Sequence, residues 1–205
     1  QGHAYAQSNL GRAYAQGTGV VENVVEALKW LRMAAEQGHA IAQYNLGLAY
    51  SDGNFNALYS SDDLFKRFEL GLPYPEGTPV AVNAVEAVKW WRRAAEQGHP
   101  FAQYKLGWAY HKGAGIAKDV TEAVKWWRKA AEQGDPISQY NIGEAYHSGD
   151  GVREDAVEAV RWYRKAAEQG LAEAQVNLGE SYDNGVGVPK DAVESAKWYR
   201  EAAEQ

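Results

Sequence analysis

The feature that most constrains this chain is a repeat of 36 residues. The words AQSNLGRAY, AQYNLGLAY, AQYKLGWAY, SQYNIGEAY and AQVNLGESY begin at positions 6, 42, 102, 138 and 174. A second set, EALKW, EAVKW, EAVKW, EAVRW and ESAKW, begins at 26, 86, 122, 158 and 194. In both sets the separations are 36, 60, 36 and 36, so there are five units and the second is longer by 24 residues. A unit this short cannot bury both its faces alone. Stacked neighbours can, which makes the chain a repeat array instead of an ordinary globule.

Each unit reads as two helices. In the first, Ala6, Leu10, Ala13 and Tyr14 share a face at helical spacing. Gly11, Gly47, Gly107, Gly143 and Gly179 recur in mid-helix, where glycine is locally unfavourable, and predict close approach of a second helix. The second helix has its own start signal. Asn23, Asn83, Asp119, Asp155 and Asp191 each precede a glutamate by three residues, the spacing of a capping box. Its apolar face runs Ala27, Trp30, Leu31 and Ala34, and the tryptophan recurs as Trp90, Trp126, Trp162 and Trp198, a structural pattern. Gly38, Gly98, Gly134 and Gly170 are placed to end these helices, and Pro100 and Pro136 to open the next ones.

Composition narrows the function. Over 205 residues, 21 Lys and Arg against 27 Asp and Glu give a formal charge of −6, the opposite of the basic face that nucleic acid requires. There is no cysteine, which removes thiol nucleophiles, zinc–thiolate sites and disulfides and leaves the compartment open. No apolar run is long enough for membrane insertion. The chain opens on QGHAYAQ and closes on AAEQ, a word that also precedes each upstream boundary, and so reads as a piece of a longer protein.

The pattern A-x-A-Q-Y-N-L-G-x-x-Y-x-x-G-x-G-V, followed by D-x-x-E-A-x-K-W-W-R-K-A-A-E-Q-G, resembles the Sel1-like repeat, a relative of the tetratricopeptide repeat. Ala102–Gly134 carries it most fully. The resemblance implies an all-α, right-handed α-solenoid of five helix-pair repeats, with a 24-residue insertion in the inter-helix loop of the second. The repeats would run about 1–36, 37–96 (with the insertion at about 54–77), 97–132, 133–168 and 169–205, as one domain. It also implies a non-enzymatic adaptor of a kind common in bacteria, binding a protein or peptide in a concave groove, without cofactors. Three departures stand out: the absent cysteines of some secreted members, Lys105 where other units have Asn, and Pro79 in place of the second glycine of the G-x-G turn. Alternatives are a regulatory or cell-envelope module of an enzyme system, an engineered scaffold carrying a grafted segment, and self-association through the terminal repeats.

If the first helices line the groove, the middle of the array offers Tyr44, Leu48, Phe101, Tyr104, Trp108, Tyr140 and Glu144. Aromatic side chains of this kind are enriched in protein-binding hot spots. Phe101 and Tyr104 could equally pack between repeats. Trp108 is the sharper candidate. Its counterparts are Arg12, Leu48, Glu144 and Glu180, a position that tolerates charge, so exposure is expected there, with Leu48 extending an apolar patch.

Inside the insertion, Ser60 or Ser61 could cap a short helix DDLFKRFEL that places Leu64, Phe65 and Phe68 on one face. Local packing of that face is favoured, because large exposed apolar patches are uncommon, with a partner-facing surface as the alternative. Catalytic and metal motifs are lacking. The G-x-G words follow helices instead of strands, no H-E-x-x-H is present, and His3, His39 and His99 recur with the repeat as turn or capping residues. His111 and His147 lie 36 apart without further ligands nearby in sequence.

Overall fold

A computed structural model describes residues 2–52 and 82–205. Those residues form ten helices in five pairs, an all-α solenoid repeat fold. The pairs are α1 (Ala4–Gln16) with α2 (Val24–Glu36), α3 (Ala40–Asp52) with α4 (Ala84–Glu96), and α5 (Pro100–Lys112) with α6 (Val120–Glu132). They continue with α7 (Pro136–Ser148) and α8 (Ala156–Ala167), then α9 (Ala172–Asn184) and α10 (Ala192–Ala203). Two compact units result. The first is Gln1–Ala102 with Ala114–Ile116, and the second is Gln103–Gly113 with Ala117–Gln205. The expected short helix with Leu64, Phe65 and Phe68, and Pro79, lie outside the described residues.

Each second helix starts where the capping signal put it. The Asn23 side chain accepts from the N–H groups of Val25 and Glu26, and Asp155 does the same for Val157 and Glu158. The glutamate of each box turns outward to the lysine or arginine three residues on, as in the Glu26–Lys29 and Glu86–Lys89 ion pairs, both 3.2 Å. Glycine closes these helices: Gly134 has φ +97°, a conformation that L side chains rarely adopt. His39 and His99 cap the helices that follow, their Nδ1 atoms accepting from the N–H groups of Ala42 at 3.2 Å and Ala102 at 3.3 Å.

The mid-helix glycines permit the close approach that their recurrence predicts. A Cβ on Gly47 would lie 2.3 Å from the Trp91 ring, on Gly107 2.5 Å from Trp127, and on Gly143 2.5 Å from Tyr163. The residue that follows the recurring tryptophan, Leu31 at Gly11 and an aromatic at the other four, therefore fills the space that each glycine leaves. Around this contact Leu31, Leu46, Leu106, Ile142 and Leu178 are fully buried. Trp90, Trp162 and Trp198 are buried as well, while Trp30 and Trp126 are half-buried.

Within each unit, buried glutamines stitch neighbouring repeats together. Gln139 on α7 donates through Nε2 to the Ala131 carbonyl at the end of α6, 3.1 Å away, and accepts from Gln169 Nε2 at 2.7 Å. Gln43 and Gln175 make the same pair of bonds. A second tie is the arginine of one repeat donating to the tyrosine hydroxyl of the next, Arg128 to Tyr146 and Arg164 to Tyr182, each at 2.7 Å. Backbone polar groups at the helix ends thus find partners in the adjoining repeat, which fixes stacking within each unit.

Candidate functional site

Within the second unit, α5 and α7 lie on the same side of their repeats and border an open cleft of about 510 Å³. Tyr104 and Trp108 face it from α5, four residues apart and so on one helical face. Tyr140 and Glu144 occupy the corresponding positions on α7. Trp127 of α6 is also part of the lining, its ring held against Gly107. His111 and Lys112 come from the last turn of α5, and Asp150 from the loop after α7.

Trp108 is 40% exposed, the position where its charge-bearing counterparts predicted access to solvent. Tyr104, Tyr140 and Glu144 are half-buried. Burial raises the Tyr104 phenol above its ordinary value, with a smaller push from the Asp135 charge. Burial also raises Tyr140, followed by the negative charge of Glu144. Both hydroxyls therefore stay protonated at neutral pH. His111 is shifted down, first by burial and then by Lys112 and Lys118, which favours the neutral imidazole; its ring packs on Trp127 with centroids 5.4 Å apart.

Glu144 is held by groups from two other helices. The Tyr163 hydroxyl of α8 donates to its Oε1, and Asn177 Nδ2 of α9 donates to the same oxygen at 2.7 Å. Burial, then the hydrogen bond to Glu144, drives the Tyr163 phenol far up, so it remains a donor. Oε2 accepts no hydrogen bond among the described residues, in a side chain that lines the cleft. The carboxylate is oriented through one oxygen and open through the other.

The remaining sequence candidates lie elsewhere. Tyr44 stacks on His99 at 4.8 Å and neighbours Phe101 at 6.2 Å in the first unit, where Phe101 is 54% exposed. Leu48 corrects an expectation. It is only 6% exposed and so cannot extend an apolar surface patch. Charge at the equivalent position of other repeats showed that a side chain there can reach water; a leucine has no reason to and folds back onto its neighbours. Leu64, Phe65 and Phe68 lie outside the described residues.

Sequence reasoning missed Tyr163 and Asn177, which orient Glu144. A signal was present in the comparison of repeats. Where the first helix carries Trp108, the partner aromatic is Trp127; where it carries Glu144 or Glu180, the partner is Tyr163 or Tyr199, a ring with a hydroxyl to donate. Among the described residues, no three metal-ligating side chains come together, and no helix is long and apolar enough to cross a membrane.

The Sel1 repeat family model matches residues 4–39, 40–58, 67–99, 100–135, 136–171 and 172–205. A Sel1 repeat protein from Oxalobacter formigenes is similar in structure, with TM-score 0.81 and 39% identity over 98% of this chain and 71% of its own. A protective antigen present in uropathogenic Escherichia coli strains, displaying the same repeat fold, has TM-score 0.82 and 40% identity over 99% of this chain. The chain spans 38% of that antigen's length. An immunity protein from Pseudomonas aeruginosa, 20% identical with TM-score 0.54 over 99% of this chain and 69% of its own, shares the fold. No curated protein matches.

Proposed function

This chain belongs to the Sel1 repeat family, and from that premise we propose that it is a non-catalytic scaffold that binds a protein or peptide on the face of its first helices. The principal seat is the cleft between α5 and α7. The observation that carries this reading is the juxtaposition of Trp108, 40% exposed, with Tyr104 and Tyr140 around an open volume of about 510 Å³. A tryptophan has much to gain from being covered, and it loses little rotamer freedom when that happens. The stitched glutamines and glycine-mediated contacts keep the cleft walls rigid, so little ordering cost is paid on binding.

The reading is tested by panning a random peptide library on the chain and measuring the best binders by fluorescence polarisation against wild type, Trp108→Ala and Tyr104→Ala. Truncating a hot-spot aromatic costs about 2 kcal/mol, so the Trp108 variant is expected to weaken binding by about 30-fold. Binders whose affinity is unchanged by both substitutions would refute the cleft as the seat. Deleting residues 54–77 in the same assay measures whether that segment adds a contact.

A further inference from the structure

We propose that the α5–α7 cleft takes a cationic side chain of its peptide, an arginine guanidinium seated among Tyr104, Trp108 and Tyr140 and donating to Glu144 Oε2. This rests on the reading of the cleft as a peptide seat. It names the chemistry that the cleft selects.

Three observations lead to it. The first is the state of Glu144. Tyr163 and Asn177 both donate to Oε1, which leaves the other oxygen of this half-buried side chain without a donor among the described residues, in the lining of the cleft. Facing the open cleft, that oxygen is available to a ligand, and a charged donor is its strongest partner. The second is the walls. Tyrosine and tryptophan faces attract cations, guanidinium most of all because it also stacks, and the aromatics here flank the carboxylate on both helices. The third is charge. Glu144 and Asp150 stand against Lys112, with His111 favouring its neutral form, so the lining is net negative in a chain of formal charge −6. An acidic peptide would meet two carboxylates; a basic one is drawn in.

The same chain supplies an internal comparison. Glu180 holds the equivalent place on α9, but the neighbouring cleft of about 90 Å³ brings it together with His147, Asn177 and Asn184, without an exposed tryptophan. Tyr163 also lines that smaller cleft but is only 2% exposed, so of these two clefts the one between α5 and α7 sets a carboxylate beside a solvent-exposed tryptophan.

The test uses acetyl-Ala-Arg-Ala-amide, its citrulline analogue (same shape, no charge) and its glutamate analogue, titrated into the ¹⁵N-labelled chain by NMR. The arginine peptide is expected to shift the Trp108 indole N–H and the α5 and α7 amides, and to bind about tenfold tighter than the citrulline peptide. Glu144→Gln should remove that tenfold preference of arginine over citrulline; its amide oxygen can still accept from Tyr163 and Asn177, so the fold is kept. Asp150→Asn should lower the arginine affinity by a smaller factor. Equal affinity for arginine and citrulline peptides, tighter binding of the glutamate peptide, or an unchanged preference in Glu144→Gln would each overturn the proposal. Trp108-dependent library binders that carry no basic residue would sink it too while sparing the binding scaffold, whereas the absence of any Trp108-dependent binder would sink the scaffold reading itself.

Discussion

Replacing Gly143 by alanine sets two effects of known size against each other. Alanine in place of glycine inside a helix favours the helix by about 1 kcal/mol. Against that, the new Cβ would stand 2.5 Å from both Cδ1 and Cε1 of Tyr163. Ordinary carbon contacts lie near 3.5–4.0 Å, so the ring must retreat by about 1 Å. Tyr163 is only 2% exposed and packs near Tyr140, with ring centroids 6.0 Å apart, which leaves it little room. Overpacking of this kind costs about 1–3 kcal/mol, and a weakened hydrogen bond to the Glu144 carboxylate adds about 1 kcal/mol. Gly143→Ala is therefore expected to destabilise the chain by about 2 kcal/mol. Gly179→Ala is the control. There the Cβ would stand 3.0 Å from Tyr199, which is 38% exposed and free to swing, so the two effects should cancel to within about 0.5 kcal/mol. Urea unfolding followed by circular dichroism separates them, and a thermal scan should show Gly143→Ala melting about 4–8 °C lower. A double-mutant cycle with Tyr163→Ala should return a coupling of about 1 kcal/mol or more, because removing the ring removes the clash. If Gly143→Ala proves as stable as Gly179→Ala, the recurring glycines are not there to let the helices approach.

Three further outcomes follow from the same contacts. Asp155→Ala, which strips the N–H groups of Val157 and Glu158 of their acceptor, should cost about 1 kcal/mol in urea unfolding, and Asp155→Asn much less. Gln139→Leu keeps the volume but loses the bonds to Ala131 and Gln169, and should cost about 2 kcal/mol in the same assay. His39 and His99 are pushed below their ordinary value of 6.5, in both cases mainly by burial, and both must be neutral at Nδ1 to cap. The unfolded chain then binds more protons, so stability is full above about pH 6.5 and falls as pH drops toward the lowered folded values; urea midpoints from about pH 7.5 to 5.5 should fall, less so in His99→Asn.

The scaffold was legible because each stacking contact recurs with the period. Gly143, Asp155 and Trp162 announce themselves by standing where Gly107, Asp119 and Trp126 stood one unit before. The site was legible only in part. Trp108 emerged because it breaks a position that elsewhere carries Arg12 or Glu180. Leu48 misled for the same reason, since tolerance of charge shows that a position can reach water but not that an apolar side chain will. The orientation of Glu144 was hidden because its partners are 19 and 33 residues away, off the repeat period, and on separate helices.

That contrast says where recognition can reside in such an array. Residues that carry stacking, such as the buried glutamines and the mid-helix glycines, stand at the same place in each repeat against a large side chain or a backbone carbonyl of a neighbouring helix, and are not free to change for a ligand. Positions 104, 108, 140 and 144 touch those elements from outside, so their chemistry can vary without unstacking the helices. Glu144 joins the two classes: its Oε1 is bound into the scaffold by Tyr163, the same ring that fills the gap at Gly143, while its Oε2 is left to the cleft. A change at Gly143 should consequently be felt at the carboxylate. Gly143→Ala is expected to loosen the arginine preference as well as the fold, whereas Gly107→Ala, which presses on Trp127, should disturb the cleft without releasing Glu144. Peptide titrations of the two variants under conditions where both remain folded would separate orientation of the carboxylate from simple loss of stability. Equal arginine preference in both would show that the hydrogen bond from Tyr163 does not set the direction of the Glu144 carboxylate.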